Sequence, residues 1–572
     1  MNPLCPPQHN QALPSSARNP NLAPYHSKLV SRIDLDALES LPADDAAIAA
    51  KFKMHRHWCD DDMVYSMVPI LDADACTETR LLPGDIALSI EHGTVAEIAA
   101  SDVRGPLNAF TTFEPFKGPN GRRRGIKEPK HINLCIGTDL IDPDMMIASK
   151  KEILAAVHKG THFAQFDGKS WYDQFPLSES VSSRMCFKKG NKFFRQATLP
   201  AGMKTSVQVG HSGMRQLQNV PGGRTHRLAI IDNGLLVGGN DAVLHDLLQV
   251  RDRAKIANIT LNEAEIIETN PESMIVQRDE FGGVWIDLET KESALTEKIV
   301  LKVKMSFENR HRWTVRGFAA HVGLLFWSVG IIDIPIGSFF ALLQFISRTG
   351  QLMSELEDDP ASWDRPIRIW PTAMKDIEDW TALCIANKKK KVDERLTAAD
   401  ATWLVATDAC RWGWGYVAVN TLTNEVRYHG ERWSWHFWRH HGHKLHRSTF
   451  TEPWGVYFSC CHLITHTGQK QHIVIGTDNT VTEASVNRGY NAHSFDINHC
   501  IQELRKMYPP SLYSFECHYI PGEINKYLAD PLSRHGVTSE DTGQIAQRLR
   551  RELGGATKEP VASGMTGVRA DE

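Results

Sequence analysis

Residues 405–418, VATDACRWGWGYVA, constrain the fold of this 572-residue chain more than any other stretch. An apolar run leads to Asp408, glycines allow a turn, and a second apolar run returns, which predicts two adjacent strands. An aspartate at the end of a buried strand often only caps a turn. Three further carboxylates stand in comparable settings: Glu452 at a predicted helix start, Asp478 after the apolar run 472–477, and Asp530 in the string NKYLADPLSR.

Four carboxylates brought to one place repel one another, and they stay ionised together only when cations neutralise them. Two divalent cations about 4 Å apart do so, and they activate water and stabilise the leaving oxygen of a phosphodiester. Oxygen ligands favour Mg²⁺ or Mn²⁺ over zinc. The four residues therefore predict a two-metal site.

The strings TDACRWGWG, TEPWGV, IGTDNT and HYIPGEIN with LADPLSR follow one another over residues 399–535 and resemble the ribonuclease H domain of retroelements. The resemblance implies a domain with a five-stranded mixed sheet. It also implies that Asp408, Glu452, Asp478 and Asp530 bind two metal ions and cleave the RNA of an RNA–DNA hybrid. Two positions depart from the family pattern. Asn525 lies one residue farther from Asp530 than is usual, and Glu523 stands where many relatives carry a mobile histidine.

Earlier segments resemble the metal-binding motifs of reverse transcriptases. Residues 163–177, FAQFDGKSWYDQFPL, resemble motif A, which implies that Asp167 binds metal and that the ring of Tyr172 blocks a ribose 2′-OH. A strand-end cap and ordinary core packing are the alternatives for these residues. Residues 228–238, LAIIDNGLLVG, resemble the motif C hairpin, in which Asp232 and Asn233 stand where two aspartates are usual. Losing one charge about 4 Å from a divalent cation costs several kcal/mol at an effective dielectric near ~20, enough to lower a rate by orders of magnitude.

Three further strings resemble other parts of a reverse transcriptase. LPAGMKTS at 199–206 resembles motif B, which implies nucleotide contacts by Gly202 and Lys204, a following helix, and Ala201 where relatives carry glutamine. IANITLNE at 256–263 resembles motif D without its usual lysine. FGGVWID at 281–287 resembles the primer grip of Phe281, Gly282 and Gly283, although a Gly-Gly pair also suits a plain hairpin turn.

Residues 118–133, GPNGRRRGIKEPKHIN, predict a Pro-Asn-Gly turn and a basic strand. Basic residues also protect a solvated edge strand, which is the alternative. The neighbouring motifs favour a clamp for a triphosphate or a nucleic-acid backbone, with Arg122, Arg124 and Lys127 as nucleotide-binding candidates.

Composition sets the remaining limits. The length suits about three or four domains, and 42% hydrophobic residues support packed cores. A net charge of −4 leaves nucleic-acid binding to local basic patches. The 11 cysteines contain no C-x-x-C pair, which favours a reducing, intracellular compartment, cytoplasmic or nuclear, over a disulfide scaffold.

Two segments leave alternatives open. Residues 318–345 are apolar, yet Asp333 and Pro335 favour two buried helices over a membrane span. Residues 433–447, WSWHFWRHHGHKLHR, carry five histidines without cysteine. Zinc binding, nucleic-acid binding, and core packing of Trp433 and Trp435 are the three interpretations. The run Lys388–Lys391 is either a solvated helix end or a contact to duplex phosphates.

We therefore expect a multidomain α/β (α+β) protein, with a reverse-transcriptase right hand of fingers, palm and thumb followed by a ribonuclease H-like domain. The expected domains are a flexible tail (1–28), an extension of unknown role (29–105), fingers and palm (106–300), thumb and connection helices (301–398), the ribonuclease H-like domain (399–540) and a C-terminal tail (541–572).

Two Mg²⁺ or Mn²⁺ ions are expected in each active site. The expected partners are an RNA template, a DNA primer, the RNA–DNA hybrid and deoxynucleoside triphosphates, without a membrane. The domain order and strings most resemble tyrosine-recombinase retroelements of the DIRS, Ngaro and VIPER type, which implies a separate recombinase and capsid-like proteins as further partners. A chain with only the nuclease active and a non-catalytic RNA-binding scaffold are the two alternative functions.

Overall fold

The computed structural model describes residues 25, 29–60, 74, 76–104, 111–113, 124–127, 129–137, 140–355, 360–394, 396, 398–465, 468–537 and 540–554. These residues divide into two compact units. The first unit extends to Lys298 and includes Lys389–Val392; the second comprises Ile299–Lys388 and the residues from Asp393 onward. The mixed α/β class predicted from the sequence is confirmed.

The α-helices have the following bounds: α1 Leu35–Ser40, α2 Ala46–Asp60, α3 Pro83–Glu91, α4 Lys130–Cys135, α5 Lys150–Ala156, α6 Trp171–Gln174, α7 Glu179–Ser182, α8 Ser206–Gln218, α9 Asn240–Ile256, α10 Ala264–Thr269, α11 Glu297–Glu308, α12 Val315–Ser328, α13 Phe340–Glu355, α14 Pro371–Ala386, α15 Trp435–His441, α16 Ser448–Leu463, α17 Thr480–Arg488, α18 Phe495–Met507, α19 Gly522–Asn525, α20 Asp530–Ser533 and α21 Thr542–Leu553.

The strands have these bounds: β1 Thr77–Glu78, β2 Val95–Ile98, β3 Thr111–Phe113, β4 Arg124–Ile126, β5 His162–Asp167, β6 Cys186–Lys189, β7 Lys192–Gln196, β8 His226–Ile230, β9 Asn233–Gly238, β10 Arg278–Phe281, β11 Val284–Asp287, β12 Glu292–Leu295, β13 Lys390–Lys391, β14 Trp403–Ala409, β15 Gly413–Asn420, β16 Val426–Arg432, β17 Gln471–Thr477 and β18 Tyr513–Tyr519.

In the first unit, a three-stranded antiparallel sheet in the order β5-β9-β8 carries the motif A and motif C residues. Helix α8 follows the motif B string, as predicted, and packs against β8 and β9. The extension at 29–105 does not stand apart from this unit, because α2 packs against α8 while β1 and β2 pair with β6 and β7. These contacts place the extension in the same hydrophobic core as the motif residues.

Two basic segments of the first unit have partly described structures. Strand β4 pairs with β3 in an antiparallel hairpin, while the predicted Pro-Asn-Gly turn lies outside the described residues. The Lys388–Lys391 run was expected to be a helix end or a duplex contact. Lys390–Lys391 form β13, which pairs with β12, so the helix-end interpretation is wrong for these residues, and Lys389 lies over the ring of Trp285 at 4.2 Å. The contact to duplex phosphates stays a prediction.

In the second unit, a five-stranded mixed sheet has the order β16-β15-β14-β17-β18, which confirms the predicted five-stranded mixed sheet. Strands β14, β15 and β16 are antiparallel, whereas β17 is parallel to both β14 and β18. Helix α16 covers one face and α21 the other, so every residue of β14 is buried. Burial on both faces explains the continuous apolar run around Asp408.

The ends of the second unit also follow from apolar patterns. Helices α12 and α13 are separated by residues 329–339, which confirms the predicted pair of helices interrupted near Asp333 and Pro335. Within the described ranges, no helix combines the length and the apolar character needed to span a membrane. Helix α21 contributes Ile545, Leu549 and Leu553 to the core beneath β14, so the packed core continues past the expected domain end at 540.

Candidate functional site

Three of the predicted carboxylates meet at one edge of the five-stranded sheet. Asp408 lies near the carboxyl end of β14, Asp478 directly follows β17, and Glu452 lies in the second turn of α16. Because β14 and β17 are parallel, their carboxyl ends lie at the same edge. One oxygen of each of the three side chains lies within 4.8 Å of the others, the spacing of a metal-ligand group.

Burial and mutual repulsion raise the proton affinity of this group. Burial, opposed by a hydrogen bond from Ser533 and reinforced by Asp530 and Asp478, raises the pKa of Asp408 to about 6. Burial and then the charges of Asp408 and Asp478 raise the pKa of Glu452 well above its ordinary range. Burial also raises the pKa of Asp478. A nearby cation would reverse these shifts by stabilising the charged forms.

The donor set fits a divalent cation. Glu452 accepts a hydrogen bond from the Ala409 amide through Oε1 at 3.3 Å, but its buried Oε2 has no hydrogen-bond partner among the described residues. A buried carboxylate oxygen without a partner carries a large desolvation penalty, which a cation would remove. All three donors are carboxylate oxygens, the ligands that Mg²⁺ and Mn²⁺ prefer.

The fourth predicted carboxylate, Asp530, begins α20 and carries its own counterion. The Arg534 guanidinium lies 2.8 Å from Asp530, one helical turn away. The charge of Asp530 raises the pKa values of Asp408 and Asp478, so it lies close enough to act on both. Helix α20 can bring Asp530 near the cluster because it packs directly on Gly415 of β15. A Cβ at position 415 would lie only 2.6 Å from Cβ of Leu532.

Residues of the C-terminal string hold Asp408 in place. Ser533 Oγ donates a hydrogen bond to Asp408 Oδ2, and Asn525 Nδ2 lies 3.3 Å from Asp408 Oδ1 and 3.1 Å from the Thr407 carbonyl. The sequence motifs predict no role for Ser533 or Arg534. Their place in the LADPLSR string, three and four residues after Asp530, was the only available signal.

The polymerase-like residues lie together at one end of the β5-β9-β8 sheet. Asp167 ends β5 and is paired in register with Asn233 of β9, while Asp232 occupies the turn between β8 and β9. The residue before it, Ile231, has φ +56°, a conformation that a β-branched residue rarely adopts. Such strain is often found at functional turns.

Asparagine amides donate hydrogen bonds to both Asp167 and Asp232. Asn262 Nδ2 donates to Asp167 Oδ2 at 2.5 Å, and Asn233 Nδ2 donates to Asp232 Oδ1 at 3.1 Å. Burial raises the pKa of Asp232, and the hydrogen bond from Asn233 opposes that rise. Asn262, to which sequence reasoning gave no site role, therefore contacts a candidate metal ligand; it was visible as the asparagine of the motif D string.

The nucleotide-binding candidates are linked through the motif B turn. The Gly202 amide donates to the Lys127 carbonyl at 2.9 Å, which ties this turn to the end of the basic hairpin. Lys127 Nζ is paired with Asp173 at 2.6 Å, and Lys204 Nζ donates to the Ile136 carbonyl at 3.0 Å. Burial, with the nearby charge of Asp232, raises the pKa of Tyr172.

Two other predicted elements are only partly testable. Arg122 and the side chain of Arg124 lie outside the described residues. Gly282 and Gly283 form the turn between β10 and β11 with φ of +57° and +83°, which confirms the hairpin. Phe281 is buried, and a Cβ on Gly282 would lie 2.6 Å from Cδ1 of Ile230, so this turn packs against motif C.

The histidine-rich segment 433–447 forms no zinc-like cluster among the residues described. Among all the residues that the structure describes, only Asp408, Glu452 and Asp478 form a group of three His, Cys, Asp or Glu side chains spaced to bind a metal ion. Trp433 is buried, as core packing predicts, whereas Trp435 is exposed.

No protein-family model matches the sequence. Polyprotein P3 of Commelina yellow mottle virus is 22% identical over 317 residues, which are 54% of this chain and 15% of the polyprotein. The chain thus spans a small part of that relative. Among solved structures, the foamy viral protease–reverse transcriptase dRH with double-stranded DNA has a TM-score of 0.43 at 10% identity, over 86% of this chain and 83% of that chain. The foamy viral protease–reverse transcriptase with an RNA/DNA hybrid has a TM-score of 0.38 at 10% identity, over 86% and 64%.

Proposed function

We propose that this chain is a retroelement reverse transcriptase joined to a ribonuclease H, an enzyme that copies RNA into DNA and degrades the RNA of the hybrid. The observation that carries the proposal is the meeting of Asp408, Glu452 and Asp478 within 4.8 Å, with Asp530 close enough to shift the pKa values of two of them. Carboxylates so buried and so close are suited to divalent metal rather than to structural capping.

In the nuclease site, Asp408, Glu452, Asp478 and Asp530 are the proposed ligands of two Mg²⁺ or Mn²⁺ ions. When bound, these ions supply an activated water and charge stabilisation at the leaving oxygen. Ser533 and Asn525 orient Asp408, and Arg534 is the counterion of Asp530. The 2′-OH and the shape of the hybrid distinguish the RNA strand from DNA.

In the polymerase-like site, Asp167 and Asp232 are the proposed metal ligands, with Asn233 as a weak, uncharged third ligand. Tyr172 would exclude a ribose 2′-OH, and Arg122, Arg124, Lys127, Gly202 and Lys204 are the proposed contacts to a deoxynucleoside triphosphate. Phe281, Gly282 and Gly283 would hold the primer. This assignment rests on the motif strings and on the convergence of β5, the β8–β9 turn and the β10–β11 turn.

One observation favours a second candidate, a nuclease whose palm only binds nucleic acid. Asn233 replaces a negative charge with an amide that donates to Asp232, so the palm has lost both a ligand charge and part of a ligand oxygen. The proposed nuclease cluster keeps all four carboxylates, although Asn525 and Ser533 donate to Asp408 and Arg534 is paired with Asp530. A scaffold without any activity is disfavoured, because it would not need four neighbouring carboxylates. In particular, it would leave the buried Oε2 of Glu452 without a hydrogen-bond partner among the described residues.

The finer assignments belong to the same proposal. The expected division places fingers and palm at 106–300, thumb and connection at 301–398 and the nuclease at 399–540. The matched relatives are a plant-virus polyprotein and foamy viral enzymes and do not support the DIRS-type resemblance. The recombinase and capsid-like partners implied by that resemblance, and a cytoplasmic or nuclear location, stay predictions.

Primer extension on an RNA template, with hybrid cleavage scored in the same tube, tests the proposal. We expect both products with Mg²⁺ or Mn²⁺, extension lost in Asp167→Ala, and cleavage lost in Asp478→Ala. Cleavage without extension would leave the nuclease-only candidate. The absence of both products, with full binding of hybrid, would support the scaffold instead.

A further inference from the structure

The segment that joins the edge strand β16 to α16, the helix that carries Glu452, is rich in aromatic and basic residues. Residues 433–447, here called the aromatic-basic segment, contain the short helix α15. From Arg432 to Thr451 the chain has no Asp or Glu, while Arg432, Arg439, Lys444 and Arg447 are basic. This local excess of positive charge contrasts with the net charge of −4 for the whole chain.

Buried aromatic residues fix this segment to the sheet beside the carboxylates. Trp433 Nε1 donates to the Cys410 carbonyl at 2.9 Å, two residues after Asp408. Its ring stacks on Phe437 at 4.9 Å, and Phe437 also contacts Trp454 at 5.3 Å. Phe437 is the buried residue of α15, so one anchored side chain positions a helix that otherwise faces solvent.

Three indole rings lie on the exposed side of this anchor. Trp435 is 72% exposed, Trp438 is 52% exposed, and Trp412 in the β14–β15 turn is 63% exposed. Trp435 and Trp438 stack on each other with ring centroids 5.6 Å apart and planes 17° apart. The backbone amide of Trp433 donates to the Trp412 carbonyl, so the turn and the segment are directly joined. Exposed tryptophans grouped in this way mark an interaction site.

One arginine contacts a ring of this group, and two more arginines lie within three residues of the others along the chain. The Arg411 guanidinium lies 5.1 Å from the ring centroid of Trp412. Arg411, Arg432 and Arg439 are exposed, and none has a carboxylate partner within the part of the chain that is described. Tryptophan faces flanked by unpaired arginines are the chemistry that binds unpaired bases and their phosphates.

We propose that Trp412, Trp435 and Trp438, with Arg411, Arg432 and Arg439, form a platform for single-stranded nucleic acid that leads to the carboxylate cluster. The inference rests on the proposed nuclease function and adds the form of substrate that the site takes, a hybrid with an unpaired extension. The aromatic-basic segment adjoins the cluster, because its last residue, Arg447, lies five residues before Glu452 and Trp433 donates to the carbonyl of Cys410, two residues after Asp408.

Unpaired bases fit this surface better than a duplex does. In a duplex the base faces are stacked on one another, so only the backbone would reach the indoles, and the rings would remain in water. A single strand offers base faces to the rings and phosphates to the arginines together. A protein partner would need acidic groups to meet the arginines, and it is the alternative that the experiment must exclude.

The test compares a blunt RNA–DNA hybrid with the same hybrid carrying a ten-nucleotide unpaired RNA extension. Binding is measured by fluorescence anisotropy with the full-length Glu452→Gln protein in EDTA, so that no cleavage occurs. We expect the extension to tighten binding by about tenfold or more, and the Trp435→Ala/Trp438→Ala pair to remove that advantage. Trp435→Phe, which keeps an aromatic face, should retain most of it.

Tyr428→Ala is the matched control, because Tyr428 is 55% exposed on β16. Strand alternation places it on the face of Gly430, which approaches Leu532 of α20, whereas His429 faces His462 of α16. The control should bind both hybrids like the parent. Arg439→Gln should lower the salt dependence for the extended hybrid by about 0.7 in log–log slope, the value for one phosphate contact to a single strand.

The outcomes separate this inference from the proposed function. An extension advantage that is absent in the parent, or unchanged in the double variant, overturns the platform even if Mg²⁺-dependent hybrid cleavage proceeds. Loss of the advantage in the Trp435→Ala/Trp438→Ala variant, but not in the Tyr428→Ala control, supports the platform even if the protein with Glu452 intact cleaves no hybrid in Mg²⁺. Unchanged nucleic-acid binding together with altered self-association would assign the surface to a protein partner and overturn the inference.

Discussion

The two carboxylate sites of this chain begin alike and differ in the side chains around them. Asp167 ends β5, an edge strand of its three-stranded sheet, and Asp408 lies near the end of β14, the central strand of its five-stranded sheet. Around Asp408 stand three more carboxylates, whereas Asp167 and Asp232 are paired with the amides of Asn262 and Asn233. Asp408 is also contacted by the Asn525 amide, so the number of carboxylates, and not the presence of an amide, separates the two groups. The density of negative charge therefore distinguishes the two sites.

The largest expected effect comes from removing one buried charge of the nuclease cluster. Glu452→Gln should lower hybrid RNA cleavage by at least about 10³-fold, since one charge about 4 Å from a divalent ion contributes about 8 kcal/mol at an effective dielectric of ~20 and each ~1.4 kcal/mol is tenfold in rate. Primer extension should be unchanged. Single-turnover cleavage of a labelled hybrid measures the loss of nuclease activity, and primer extension by the same preparation is the control. Equal loss of both activities would contradict separate sites.

The second expected effect is a pH-dependent instability of the metal-free nuclease site. Burial raises the pKa of Asp408 from its ordinary value of 3.8 to about 6. The folded protein therefore holds this proton more tightly than the unfolded chain. The resulting stability is present below about pH 4 and is lost as the pH rises through about 6, by about 3 kcal/mol in unfolding free energy.

Urea unfolding in EDTA checks this effect at pH 4.5 and pH 7.5. Asp408→Asn should be more stable than the parent at the higher pH, and the difference should shrink at the lower pH. Mg²⁺ at pH 7.5 should stabilise the parent and leave the variant nearly unaffected. Asp241→Asn, at an exposed position of α9, is the control and should follow the parent. A difference that is independent of pH would refute the assignment to this proton.

The third expected effect comes from adding a carboxylate to the proposed polymerase site, which would make its negative charge more like that of the proposed nuclease site. Asn233→Asp restores the charge that motif C usually carries, and we expect primer extension to rise by about 10- to 100-fold. Asn233→Leu, which is similar in size, should not raise extension. Steady-state incorporation of a single deoxynucleotide measures the change. A fall in extension with Asn233→Asp would mean that the amide itself is required.

Sequence patterns predicted the elements of both sites better than their surroundings. Alternation and glycine turns were sufficient for β14, β15 and the β8–β9 hairpin, because local pattern determines a strand and its turn. The position of Asp530 beside β15 depends on Gly415 and Leu532, which are more than a hundred residues apart, so no local pattern contains it. The extension at 29–105 also pairs with β6 and β7 through contacts between distant residues.

Roles that depend on one hydrogen bond were invisible for the same reason. Asn262 and Ser533 lie within quoted strings, yet only the folded chain brings them to Asp167 and Asp408. Tyr172 and Gly202 were inferred from motif order, and their role in nucleotide binding stays a prediction.

The smallest expected effect compares these two supporting side chains. Ser533→Ala and Asn262→Ala each remove one hydrogen bond to a candidate metal ligand, and groups that orient metal ligands typically contribute about 10- to 100-fold. In the crowded nuclease site, Ser533 also opposes the rise in the pKa of Asp408, so its loss favours the protonated carboxyl. We therefore expect Ser533→Ala to lower cleavage by about tenfold and to raise the Mn²⁺ concentration needed for half-maximal rate.

In the proposed polymerase site, Asn262 competes with metal for Asp167 Oδ2, so Asn262→Ala should lower the Mn²⁺ concentration needed for half-maximal extension. Opposite shifts would sharpen the contrast between the sites, and parallel shifts would show that the amides orient the palm ligands instead of competing for them.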